Sequence, residues 1–327
     1  MTRAATGLPF DDIRDLITGL PQADVEARTD AVARTQTLAV PSGSLGCVAE
    51  IAEWAAAWQA TPKPAITRPL IAIFAATHGL AAADPHAGPP DATHKLVELF
   101  AAGGGAVNQI AQQAEAGLKV FDLALDMPTP DIREDAALSE AACAATMAFG
   151  MEAIAGGTDL LCLGAAGAGN RTVAAVLTCG LLGGDPSDWT DGSEWAAQAV
   201  AAALAAHEGA LADPLEASRR LGGREFSAIA GAILAARYQR IPVLLDGFAT
   251  CAAAAILWKL DPGSLDHCLA AHVSGDPAHA RLLAAIGKTP LLETGISLDD
   301  GTGAALAIGL VKSALAVHRD MATRDQL

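Results

Sequence analysis

The chain has 327 residues, of which 18% are charged and only 4% aromatic, with a formal net charge of −16. That length suits one large α/β domain with or without a smaller companion, and it can bury a core without covalent staples. The acidic balance excludes wrapping a nucleic-acid backbone, which needs clustered Lys and Arg, and so few rings exclude an array of base-stacking platforms.

The opening stretch MTRAATGLPFDDIRDL lacks the apolar core of a secretory signal, and every apolar run is broken before the ~18 residues of a membrane span. No membrane contact is expected, and a cytoplasmic location is. Residues 10–60 follow with helical patterns such as DIRDLITGL and CVAEIAEWAAAWQ. Short continuous apolar runs then read as buried strands: PLIAIFAATHG (69–79), LKVFDLAL (118–125), TDLLCLG (158–164), IPVLLDG (241–247) and HCLAAHV (267–273). Between them lie Ala-rich segments with helical spacing at 92–115, 137–155, 170–182, 225–238 and 248–259, and 303–318 is a helix after the last strand. This βαβα order predicts an α/β fold with a mostly parallel, Rossmann-like sheet between helices. The two chain ends, 1–65 with 303–327, are expected to form a small helical domain beside a large one over 66–302. The six cysteines include no C-x-x-C pair and several sit in apolar runs, so they read as small buried hydrophobes in a reducing compartment.

The polar clusters fall where the strands end. THG (77–79), GAAGAGNRT (164–172), DGF (246–248) and HVSGD (272–276) all lie at C-terminal strand ends, the edge at which open α/β sheets bind ligands. GAAGAGNRT is either a phosphate cradle, its glycines letting backbone N–H groups approach an anion, or a tight turn capped by Asn170. Arg171 favours the anion, because a guanidinium in the first turn opposes the helix dipole unless a negative ligand meets it. Asp246 is either a helix cap or a site carboxylate, and Phe248 beside it is free to wall a flat ring. In SLDDGTGAALAIGL (297–310), two adjacent carboxylates precede the last helix, as caps or as a working base. The eight histidines make no H-x-x-x-H pattern, so no metal site is expected, and neither a G-x-S-x-G elbow nor a Walker A loop occurs.

Taken together, PSGSLG (41–46), IFAATHGLAA (73–82), AAGGGAVNQIA (101–111), GAGNRTVAAVL (167–177), LLGGDPSDW (181–189), RRLGGREFSAIAGAIL (219–234), IPVLLDGF (241–248) and LDDGTGAALAIGL (298–310) resemble the nicotinate-nucleotide:dimethylbenzimidazole phosphoribosyltransferases of cobalamin lower-ligand synthesis. They run in that family's order over nearly the whole chain. The resemblance implies a homodimer without cofactor that transfers ribose phosphate from nicotinate mononucleotide to a benzimidazole-like base and releases nicotinate. It implies Asp300 as general base. It also implies a phosphate and ribose site of Gly167, Gly169, Asn170, Arg171, Thr172, Ser274, Gly301 and Thr302, and a base pocket of His78, His86, Lys95, Leu96, Phe248 and Leu298. The pattern is altered in places: Asp300 stands for a glutamate, Ala165 for a second one, Arg171 for a threonine, and no lysine occurs at 196–198. A transferase using Asp300 and Arg171, or a binding protein or supporting subunit without catalysis, are the two readings. The retained carboxylate and the gained arginine favour the first.

Overall fold

The computed structural model describes residues 7–327, and the first six residues of the expected helical domain, which also begin the stretch read for a signal, lie outside them. Helices α1 (Phe10–Thr18), α2 (Val25–Thr37) and α3 (Cys47–Gln59) precede strand β1 (Pro69–Ala75). After β1 come α4 (Ala92–Ala101), α5 (Ala106–Gln113), β2 (Gly117–Asp122), α6 (Glu140–Met151) and β3 (Leu160–Ala166). Four helices follow, α7 (Asn170–Leu182), α8 (Glu194–Ala206), α9 (Pro214–Leu221) and α10 (Arg224–Tyr238), before β4 (Val243–Leu245). Helix α11 (Phe248–Leu260), β5 (Cys268–Val273), α12 (Pro277–Ala285), β6 (Pro290–Glu293) and α13 (Thr302–Asp320) complete the chain.

The strands form one sheet in the order β2-β1-β3-β4-β5-β6, every neighbouring pair parallel. The five expected strands are all present. The period of two divides their side chains between two cores. Leu70, Ala72, Phe74, Leu161, Leu163 and Ala165 face the layer of α6, α7, α10 and α11, whereas Ile71, Ile73, Ala75, Leu160, Cys162 and Ala166 face α3, α5 and α13. Burial on both sides explains why these strands read as unbroken apolar runs.

Three features differ from the sequence expectation. Residues 92–115 are two helices because Gly103, Gly104 and Gly105 interrupt them, Gly103 with φ +76°. A sixth strand precedes the last helix. It is a four-residue edge strand opened by Pro290 and only partly buried, so it carries neither length nor a clean apolar run. Cys47, at the start of α3, is exposed, while the other five cysteines are buried and unpaired.

The chain ends meet. Arg34 on α2 donates to the carbonyls of His318 (3.2 Å) and Met321 (2.7 Å), and Leu38 bridges Thr323. Helix α13 lies directly on the second face of the sheet, with Ile308 and Val311 in one core with Ile51 of α3. No helix among the described residues is long and apolar enough to cross a membrane.

Candidate active site

Strand order reverses at β1, because β2 lies on one side of it and β3 on the other. The crevice outside the C-terminal ends of β1 and β3 is therefore the topological switch point, where connections leave to opposite sides and open a space. A cleft of about 470 Å³ occupies it, lined by the end of β3, the 167–169 loop, the first turn of α7, residues 84–87, Leu96, residues 190–196 and residues 297–300. A smaller recess adjoins it through Arg171, Asp191, Ser297 and Asp299, and reaches Phe248, Ser274 and Asp276.

Two helix N-termini open on the cleft. Gly169 (φ +77°) turns the chain into α7, and Ser193 caps α8 by accepting the Ala196 N–H. The N–H groups and positive dipole ends there suit an anion. Thr172 donates to Asp84 (2.8 Å), which also accepts the His86 N–H, so the 84–86 segment is tied to α7.

The carboxylates come from the 299–301 turn. Gly301 adopts φ +89°, and the turn is pressed against β3: the Ala165 N–H donates to the Asp299 carbonyl (2.6 Å), and a Cβ on Gly164 would lie 2.5 Å from the Asp300 carbonyl carbon and the Gly301 nitrogen. Asp300 Oδ1 accepts the N–H (3.1 Å) and hydroxyl (2.5 Å) of Thr302. Its Oδ2 has no hydrogen-bond partner among the described residues. Asp300 thus caps α13 through Oδ1 and also lines the cleft.

Burial, opposed by the Thr302 hydrogen bonds, and the nearby Asp246 charge together raise the Asp300 carboxyl above the ordinary Asp range. Asp299 is raised further, to about 6, by burial and then by Asp246. Asp299 lines the cleft beside Asp300 and also makes a helix contact, its Oδ1 accepting the Ala249 N–H at 3.3 Å at the start of α11. A carboxyl whose folded pKa lies above its unfolded value contributes stability that is complete below pH 3.8 and lost as pH rises through about 6. Asp299→Asn is therefore expected to stabilise the protein by about 1–3 kcal/mol above pH 7 and by nothing near pH 3, checked by melting temperature against pH.

Of the residues singled out from sequence, Gly167, Gly169, Asn170, Arg171, Thr172, His86, Leu96, Leu298 and Asp300 line the cleft. Ser274 lies in the adjoining recess, where its hydroxyl meets His279 Nδ1 at 3.1 Å. Gly301 and Thr302 are buried below the floor as parts of the α13 start. Three expected base contacts are corrected by geometry. His78 is buried, with Nε2 2.6 Å from Glu225, because THG turns inward onto α10. Lys95 projects to solvent and pairs with Asp91 one helical turn away (2.7 Å). Phe248, expected to wall a ring, is buried beneath Arg171, whose guanidinium lies 4.2 Å from the ring centre. Arg171 itself is paired with Asp276 and donates Nη1 to the Trp189 carbonyl, leaving Nη2 buried without a partner.

Asp84, Asp191 and Ser193 also line the cleft and had no motif to reveal them, and Ser297 lines it from the start of SLDDGTGAALAIGL. Asp191, at φ +48°, is a non-glycine residue in the left-handed region. Among the described residues, no three His, Cys, Asp or Glu side chains gather as ligands for a metal ion.

A phosphoribosyltransferase family model matches residues 20–326. The chain is similar to proteins named nicotinate-nucleotide–dimethylbenzimidazole phosphoribosyltransferase from Rhizobium johnstonii (56% identical), Sinorhizobium fredii (55%) and Brucella canis (51%), each alignment covering 99% of this chain and 98% of the relative. A crystal structure under that name from Thermus thermophilus superposes with a TM-score of 0.85 at 36% identity, covering 92% of this chain and 98% of that one.

Proposed function

This chain belongs to the nicotinate-nucleotide–dimethylbenzimidazole phosphoribosyltransferase family, and from that premise we propose that it transfers ribose phosphate from nicotinate mononucleotide to a benzimidazole-type base, with Asp300 as general base. The observation that carries this reading is one cleft at the switch point that joins two helix N-termini to the Asp299–Asp300 pair. The non-catalytic alternative has no such support, since the relatives are named as enzymes.

The chemistry divides between the two features. The phosphate suits the α7 and α8 starts, whose N–H groups carry partial positive charge. As the bond from ribose C1′ to the nicotinate nitrogen breaks, its electron pair stays on that nitrogen and positive charge grows on the ribose, which the carboxylates offset. One ring nitrogen of the acceptor bonds to C1′, and the proton on its other nitrogen passes to Asp300. A base with an ordinary Asp pKa would hold that proton weakly, so the upward shift at Asp300 favours the transfer. Each turnover leaves one nicotinate, one ribosylated base and one proton for solvent.

Arg171 is assigned to the phosphate because its partly exposed guanidinium lines the cleft at the start of α7. Phe248 orients the guanidinium by stacking beneath it, and so acts on the anion rather than on the base. Arg171→Ala is expected to weaken nicotinate mononucleotide binding by about 1.5–3 kcal/mol, measured by calorimetry. Unchanged affinity would move the phosphate to another donor. His86, Leu96 and Leu298 are assigned to the acceptor ring as the remaining expected base contacts that line the cleft. The enzyme is further proposed to act as a homodimer in the cytoplasm, which light scattering and cell fractionation test.

A further inference from the structure

Asp246, at the end of β4, has no exposed surface and does not touch the cleft. Oδ2 accepts the Gly301 N–H (2.9 Å) and Oδ1 the Ala304 N–H (2.7 Å), so the carboxylate caps α13, from a distant part of the chain, rather than the helix that follows it. His272 on β5 approaches the same Oδ1 with Nε2 at 3.3 Å, both side chains fully buried. The turn bearing Asp299 and Asp300 is thus fastened from below to two central strands.

We infer that Asp246, with His272 behind it, is the positioning residue of the reaction: by accepting the Gly301 and Ala304 N–H groups it clamps the 299–301 turn that carries Asp300. This inference rests on the reading of Asp300 as general base. The surroundings isolate the pair electrically. Cys162 of β3 and Cys251 of α11 face Asp246 but are held as neutral thiols, their pKa values pushed far up by burial. His279 of α12 lies edge-on to His272 and is pushed down to about 4, first by burial and then by His272. Arg171 and Asp276 sit farther out, beside Asp299, and are paired with each other. His272 is therefore the one group among the described residues that can set a positive charge against Asp246, and its pKa is raised: burial opposes the charge, but the nearby Asp246 carboxylate outweighs it.

The sign of each effect follows. The Asp246 anion repels charge on Asp299 and Asp300 and raises both, and a proton on His272, 3.3 Å from Asp246, would offset part of that repulsion. The acid limb of kcat/KM, where the base must lose its proton, is the readout. Asp246→Asn should move that limb down by about 1 pH unit and lower kcat, whereas His272→Gln, keeping a neutral donor, should move it up by a smaller amount. A purely structural clamp would change kcat or KM in both variants and leave the limb where it is in wild type. An unmoved limb, or shifts of the same sign, would overturn the inference. If Asp246→Asn does not fold, His272→Gln decides alone, and its limb must rise. Asp300→Asn serves as control: if it keeps the wild-type rate, the base assignment has failed, independently of Asp246.

Discussion

Asp300→Asn is expected to lower the rate of nicotinate release by about 10²–10⁴, the loss that accompanies removal of a positioned general base. Asn keeps an oxygen that can accept from Thr302, so the cap on α13 survives and the melting temperature should change little. Nicotinate mononucleotide should bind as before, because the phosphate is assigned to the helix starts rather than to the turn. The expected pattern is a fall in kcat with KM nearly constant, the mark of an interaction made in the transition state. Asp299→Asn in the same assay should lose far less, since Asp299 Oδ1 is directed to the Ala249 N–H at the start of α11. Equal losses in the two variants would make the pair, rather than Asp300, the base.

Gly164→Ala should cost about 10² in rate, although residue 164 is on β3 and donates nothing to a substrate. Its added Cβ would meet backbone atoms of Asp300 and Gly301 at 2.5 Å, contacts no flexible side chain can relieve. The turn must move out, and the Ala165 N–H to Asp299 carbonyl bond that docks it must lengthen. Carboxylates displaced by a few tenths of an ångström to about 1 Å lose their line to the acceptor proton. Steady-state kinetics beside a melting curve check this. A variant with wild-type kcat would show that the seating of the turn on β3 does not govern the reaction.

The sheet was legible in the sequence because strands buried on both faces need continuous apolar runs, and 69–75, 160–166 and 268–273 have them. β6 was not, because an edge strand of four partly buried residues needs no such run. The rim was legible for the same reason as the strands: polar clusters at their C-terminal ends mark the switch edge, and GAAGAGNRT and LDDGTG both reach the cleft.

What the sequence withheld was direction. His78 follows a strand at the right end, yet its ring turns onto Glu225, a residue 147 positions away that no local pattern connects to it. Phe248 and Arg171 each read as a ligand contact, and the fold stacks one on the other. Asp246 read as either a cap for the helix that follows or a site carboxylate, and the fold makes it a cap for α13 instead, a pairing made by the sheet. Asp84, Asp191 and Ser193 reach the cleft from loops and a helix start between the motifs, where Ser193 signals only a helix cap.

The most direct measurement is a product assay: wild-type protein, nicotinate mononucleotide and a benzimidazole acceptor, with nicotinate and the ribosylated base quantified together by chromatography and mass spectrometry. The account predicts that both appear in equal amounts, that neither forms without acceptor, and that Asp300→Asn suppresses both together. Nicotinate released without a ribosylated base would mean that water is the acceptor, and release of neither product across benzimidazoles, purines and phenols would contradict the assignment of this cleft as a phosphoribosyl-transfer site.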